Sequence, residues 1–140
     1  METLENKIRQ NIVTFFESWN THDRKRSNSL SALIDKKFIR IDNGKIIANN
    51  REEYLTWASA HPHAFSDAKV TINETSILDN KAYLHWTFTG TNNGPLGDIP
   101  ATQLKVKNTG FSIWTYNDHG LAIKEEAFYN ELSLMQQLGF

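Results

Sequence analysis

The second half of the chain carries strand-type runs that are apolar or aromatic on both faces, and few folds accept such runs. In AYLHWTFTGT, Leu84, Trp86 and Phe88 fall on one face and Tyr83, His85, Thr87 and Thr89 on the other. In GFSIWTY, Phe111 and Ile113 fall on one face and Trp114 and Tyr116 on the other. A sheet with one wet face alternates apolar with charged residues. Here both faces need cover. Helices can cover one, and the other predicts a second copy of the chain in a symmetric homodimer.

The material for the helical layer comes first. Leu4, Ile8, Ile12, Phe15, Phe16 and Trp19 recur at helical spacing, with Glu5, Arg9 and Glu17 opposite. A polar run over 20–29 ends this helix, and LSALI (30–34) reads as a short second one. Within FIRIDNGKII, Asp42-Asn43-Gly44-Lys45 predicts a hairpin, because Asn-Gly accepts the positive φ angles of a two-residue turn. Asn50 followed by Glu53 is a capping box, opening a helix that sets Tyr54, Trp57, Ala58 and His61 on one face, with Pro62 near its end. Strands are expected over 68–73, 76–91, 103–116 and 121–129, with turns at Asp79-Asn80 and at Asn117-Asp118-His119-Gly120. This order predicts an α+β architecture with helices on one face of a strongly bent antiparallel sheet. No linker divides residues 1–140, so one domain is expected.

Composition narrows the function classes. The net charge is -1, so no field favours nucleic acid or anionic lipid. No run approaches the roughly 18 apolar residues of a membrane span, and METLENKIRQ lacks the pattern of a secretory leader. The chain has no cysteine, which removes disulfides, thiolate nucleophiles and cysteine metal sites. A cytoplasmic protein with neither nucleic acid nor membrane as partner is expected. His61 and His63 lie two apart at a helix end without a third ligand, so no metal site is assigned. His85 reads as a residue of the dimer side, and His22 and His119 as solvated loop residues. Aromatic residues make up 11% of the chain and fall largely in predicted helices and strands, as a large core or an aromatic-lined cavity requires.

The segments HWTFTGTNNGPLGDIPATQLKVKNTGFSIWTYNDHG and LAIKEEAFYNELSLMQQLG together resemble the SnoaL-like polyketide cyclase family. FFESWNTHD resembles that family's first helix and HAFSDAKV its A-F-P-D segment, with Ser66 in place of proline. The resemblance implies a cystatin-like, or nuclear-transport-factor-2-like, cone. In that fold a curved antiparallel sheet is closed by N-terminal helices around an apolar pocket, commonly in a dimer. Ketosteroid isomerases, dehydratases, epoxide hydrolases and non-catalytic proteins share it, so activity has to be argued from the site.

The chemistry implied is proton transfer by a carboxylate next to a substrate carbonyl, with no metal or cofactor. The resemblance places the acid/base on the last strand, as the aspartate of a Glu-x-Trp-Asp-like run. Ungapped alignment back from Gln136-Gln137-Leu138-Gly139 puts that aspartate at Ala127 and the tryptophan at Glu126. Ala127 cannot transfer a proton. Residues two apart on a strand share a face, so Glu125 lies with Ile123, Ala127 and Tyr129, about 7 Å along the strand from the vacant position. Glu126 lies opposite with Lys124 and Phe128. Glu125 is therefore the candidate catalytic residue. Tyr54, Trp57, Trp86, Phe88, Trp114, Tyr116 and Tyr129 are the candidate ligand-pocket residues. Two readings stay open. One is a cofactor-free cyclase- or isomerase-type enzyme acting on a small apolar or aromatic, polyketide- or steroid-like molecule. The other is a non-catalytic ligand-binding or dimerisation module of the same fold.

Overall fold

The computed structural model describes residues 2–23 and 25–140; Met1 and, in the polar run after the first helix, Arg24 lie outside it. The elements are α1 (Leu4–Trp19), α2 (Arg26–Ser31), β1 (Ile34–Asp42), β2 (Lys45–Ala48), α3 (Arg51–Ala64), β3 (Lys69–Leu78), β4 (Lys81–Thr91), β5 (Lys105–Tyr116), β6 (Ala122–Tyr129) and α4 (Glu131–Gln137). All six strands form one curved sheet in the order β2-β1-β6-β5-β4-β3. The architecture is the expected α+β. The sheet departs from a purely antiparallel one at a single pairing: β1 runs parallel to β6.

Local chemistry explains most boundaries. Thr3 caps α1 by accepting the Asn6 N–H, and Asn50 caps α3 by accepting the Glu53 N–H at 2.9 Å. The Glu53 carboxylate reaches back one residue further than a standard capping box, accepting the Asn49 N–H at 3.1 Å. Asn43 and Gly44 both have positive φ, as the predicted hairpin turn between β1 and β2 requires.

Two expectations need correction. The second helix spans Arg26–Ser31 rather than 30–34. Ile34 already pairs with Ala122 of β6, and this tertiary pairing wins over the weak helical propensity of a five-residue segment. The predicted break between 73 and 76 is a β-bulge within β3, which runs on to Leu78. Before the bulge Val70 and Ile72 are the half-buried positions, and after it Thr75 and Ile77. The apolar phase therefore slips by one residue, which reads in sequence as an interruption.

The main core lies between the helices and the concave sheet face. It joins Ile8, Ile12, Phe15 and Trp19 of α1 to Phe38, Tyr54, Leu84, Trp114 and Tyr116. Asn11 is buried among them, donating from Nδ2 to the carbonyls of Leu33 and Gly120, both at 2.9 Å. These bonds fix α1 over the starts of β1 and β6. His22 is more than a solvated loop residue: its ring nitrogens meet the carbonyls of Ser66 and Ala68, tying the α1–α2 connection to the segment before β3.

Candidate functional site

Between α1, α3 and the concave face lies a half-open cavity of about 140 Å³. Its walls are aromatic: Phe15, Phe16 and Trp19 from α1, Tyr54 and Trp57 from α3, Phe65 beyond it, and Trp86 and Phe88 from β4. Leu96 from the β4–β5 loop and Leu134 from α4 complete the apolar lining. The polar lining residues are Arg40 of β1, His61 of α3, Asn108 of β5, and Glu125 and Tyr129 of β6.

Arg40 joins two buried carboxylates. Its Nη1 donates to Glu125 Oε1 at 2.7 Å, and its Nε donates to Asp42 Oδ1 at 2.5 Å. The second oxygen of Glu125 accepts from Ser112 Oγ at 2.8 Å, and Ser112 accepts in turn from Trp86 Nε1 at 2.8 Å. The second oxygen of Asp42 accepts from the Tyr129 hydroxyl at 2.8 Å. The guanidinium lies over the Trp57 ring, 4.5 Å from its centre. Arg40 Nη2 makes no hydrogen bond among the described residues.

Strand pairing dictates this arrangement. Arg40 and Asp42 share a face of β1 with Phe38, and parallel pairing sets Arg40 beside Glu125 and Asp42 beside Ala127. Ser112 pairs with Ala127 from the other side. Ala127 is fully buried between them, so a carboxylate of β1 stands next to the position that lacks one on β6.

The electrostatics follow from burial. Desolvation pushes the Glu125 carboxyl above its ordinary range, opposed by the Arg40 charge and the Ser112 hydrogen bond. Burial works against the Arg40 cation, but Glu125 and Asp42 outweigh it and hold the guanidinium more firmly protonated. His61 is held down to about 4 by burial and by the charges of Arg40 and Arg26, so its ring is neutral near pH 7. Burial, and for Tyr129 also Asp42, keeps the Tyr54 and Tyr129 phenols protonated. No three His, Asp or Glu side chains come together as metal ligands among the described residues.

Of the candidate residues, Glu125, Tyr54, Trp57, Trp86, Phe88 and Tyr129 meet at the cavity, and Trp114 and Tyr116 do not. Trp114 faces the same side as Glu125, its pairing partner, but is sealed off by Phe15, Phe16 and Phe38, with ring centres 5.0, 6.1 and 5.9 Å away. Tyr116 stacks on it one step further from the cavity and is 2% exposed. Both belong to the core. Sequence reasoning missed Arg40 and Asp42. The signal was available, since alternation in FIRID puts two charges on the same face as Phe38.

The sequence profile of the SnoaL-like polyketide cyclase family matches residues 10–138. The chain belongs to that family. No curated protein sequence matches this SnoaL-like protein. Solved structures that share its fold include a candidate SnoaL-like polyketide cyclase from Jannaschia sp. CCS1, 16% identical, with a TM-score of 0.86 over 99% of this chain and 95% of that one. TsrD from Streptomyces laurentii is 20% identical, with a TM-score of 0.81 over 95% of each chain. An NTF2-like protein of unknown function from an Exiguobacterium species is 14% identical, with a TM-score of 0.72 over 86% of this chain and 98% of that one. At such identities the likeness concerns the fold alone, which for this SnoaL-like protein is the nuclear-transport-factor-2-like cone.

Proposed function

We propose that this SnoaL-like domain binds a small organic molecule in the aromatic cavity and catalyses cofactor-free proton transfer on it, with Glu125 as the acid/base. The observation that carries this reading is a carboxylate 4% exposed at the polar end of an apolar cavity, with burial raising its proton affinity. A general base works best when its proton affinity is tuned toward neutral pH, and burial acts in that direction. The cavity volume suits a ligand of one or two rings, since an apolar cavity of about 150 Å³ accommodates benzene. A steroid skeleton exceeds the enclosed part. Isomerisation and ring closure both begin with proton removal beside a carbonyl, and both fit this arrangement.

A second reading, a binding module without catalysis, is favoured by Ala127 and by the engagement of both Glu125 oxygens in hydrogen bonds. One experiment separates the two. 1-Indanone, a small ring ketone, is incubated with the protein in D2O, and exchange of its α-protons is followed by NMR. Accelerated exchange that falls at least a hundredfold in Glu125→Gln supports catalysis. Binding of the ketone without exchange supports the module.

We further propose that the protein acts as a homodimer through its convex sheet face. Phe111 and Phe128 are 41% and 43% exposed there, and the Tyr83 ring stacks on Phe111. Lys124 and Glu126 form an ion pair at 3.2 Å on the same face.

A further inference from the structure

The carboxylate–guanidinium–carboxylate cluster holds an imbalance that the assignment of Glu125 alone does not use. With both carboxylates ionised, one cation is shared by two anions, in side chains about nine-tenths buried or more. Asp42 is doubly satisfied, by Arg40 and by the Tyr129 hydroxyl, and does not line the cavity. Arg40 does line it, at 9% exposure, and its Nη2 is the guanidinium nitrogen without a partner among the described residues. Nη2 is not sealed away as the buried, unpartnered Asn11 Oδ1, His61 Nδ1 and Trp114 Nε1 are, so it stays open to the cavity that Arg40 lines. A ligand oxygen arriving at Nη2 gains a charge-assisted hydrogen bond without displacing a protein partner.

We propose that Arg40 is a catalytic residue that holds the carbonyl oxygen of an enolisable ketone or ester on Nη2 while Glu125 removes the proton from the adjacent carbon. The proposal rests on the reading of Glu125 as the acid/base. In the step, the Cα–H bond breaks and its proton goes to a Glu125 oxygen. The bonding pair forms the C=C of an enolate, and the carbonyl π pair moves onto oxygen. Return of the proton to another carbon gives an isomer, and attack of the enolate on a second carbonyl gives a C–C bond. No oxidant, reductant or further reactant is needed.

Total charge in the cluster is conserved through this step. One negative charge leaves Glu125 and appears on the enolate oxygen, and both positions contact the same guanidinium. Arg40 thus stabilises an anion before and after transfer without reorganising, which is how preorganised charge lowers a barrier. No other group around the cluster adds charge to it or competes with Glu125 for the proton. Tyr54 and Tyr116 are protonated phenols, Tyr129 already donates to Asp42, and His61 is neutral. Stacking on Trp57 and the Asp42 contact fix the guanidinium plane. The substrate class follows: a one- or two-ring carbonyl compound with an acidic proton next to the carbonyl.

The test uses an enolate-like anion that cannot turn over. 4-Nitrophenolate is titrated at pH 9 into the wild-type protein and into Glu125→Gln, with 4-nitroanisole as its uncharged counterpart. Wild type presents a carboxylate beside the arriving anion, whereas Glu125→Gln imitates the state after proton transfer. The variant is expected to bind the phenolate at least tenfold more tightly than wild type, with nitroanisole bound equally by both. Adding Arg40→Lys to Glu125→Gln is expected to abolish the gain, with folding checked by circular dichroism. If that double variant fails to fold, the Arg40 guanidinium NMR signals in Glu125→Gln decide: they are expected to shift with nitrophenolate and not with nitroanisole, and no shift with either overturns the proposal. Equal phenolate affinity in wild type and Glu125→Gln overturns the proposal, as does a gain shared by nitroanisole. Exchange of indanone without the phenolate gain would retain Glu125 and remove Arg40. The phenolate gain without exchange would leave an anion site and remove the proton transfer.

Discussion

Glu125 carries two opposed effects, and their balance can be read from stability. Its carboxyl lies above the ordinary value of 4.5 because burial outweighs Arg40 and Ser112. Folding therefore favours its protonated form. The stability this contributes is complete below the ordinary carboxyl range and is lost as pH rises through the higher folded-state value. Glu125→Gln has no such group, so its stability in urea unfolding should rise relative to wild type as pH increases above the ordinary carboxyl range. A difference that stays flat with pH would mean that Arg40 and Ser112 fully offset burial. The placement of Glu125, Ala127 and Tyr129 on one face was legible from strand alternation alone. The Arg40–Glu125 contact was not, because it joins positions 85 residues apart through a parallel pairing that no local pattern announces. Trp114 and Tyr116 show the converse limit. Alternation gives the face of a strand, but the helix lying over that face decides whether a ring meets a cavity or a core.

At the scale of elements, β5 shapes the cavity through a residue without a side chain. Gly110 pairs directly with Trp86 on β4. A Cβ at Gly110 would lie 2.2 Å from the Trp86 ring, so the indole occupies the space that any larger residue would fill. This lets Trp86 lie across β5 and donate to Ser112. Gly110→Ala is expected to displace the indole, at a cost of about 1–3 kcal/mol. The loss should appear in urea unfolding, together with a shift of the Trp86 indole N–H signal in NMR spectra. An unchanged indole signal would show that β4 accommodates the methyl group by other means. A glycine inside a strand pattern is a recognised sign of close approach, so this feature was open to sequence reasoning. The Asn50 cap of α3 and the Asn43-Gly44 turn were legible because each is decided within four residues. The α2 boundary and the β3 bulge were not, because tertiary pairing settles both.

For the whole molecule, the convex face sets the expected assembly. Light scattering at tens of micromolar should give twice the 16.1 kDa chain mass. Phe111→Lys with Phe128→Lys should reduce it to a single chain while leaving the helical and strand signals unchanged. A wild-type protein running as one chain would remove the dimer. The parallel pairing of β1 with β6 has a further consequence, for the order of folding. Hairpins such as β3–β4 and β4–β5 close over short separations, whereas β1 and β6 must find each other across most of the chain, and such distant contacts form slowly. Arg40 and Asp42 meet Glu125 only through that pairing, so the charged cluster is a product of long-range closure and no local segment of the chain can assemble it alone.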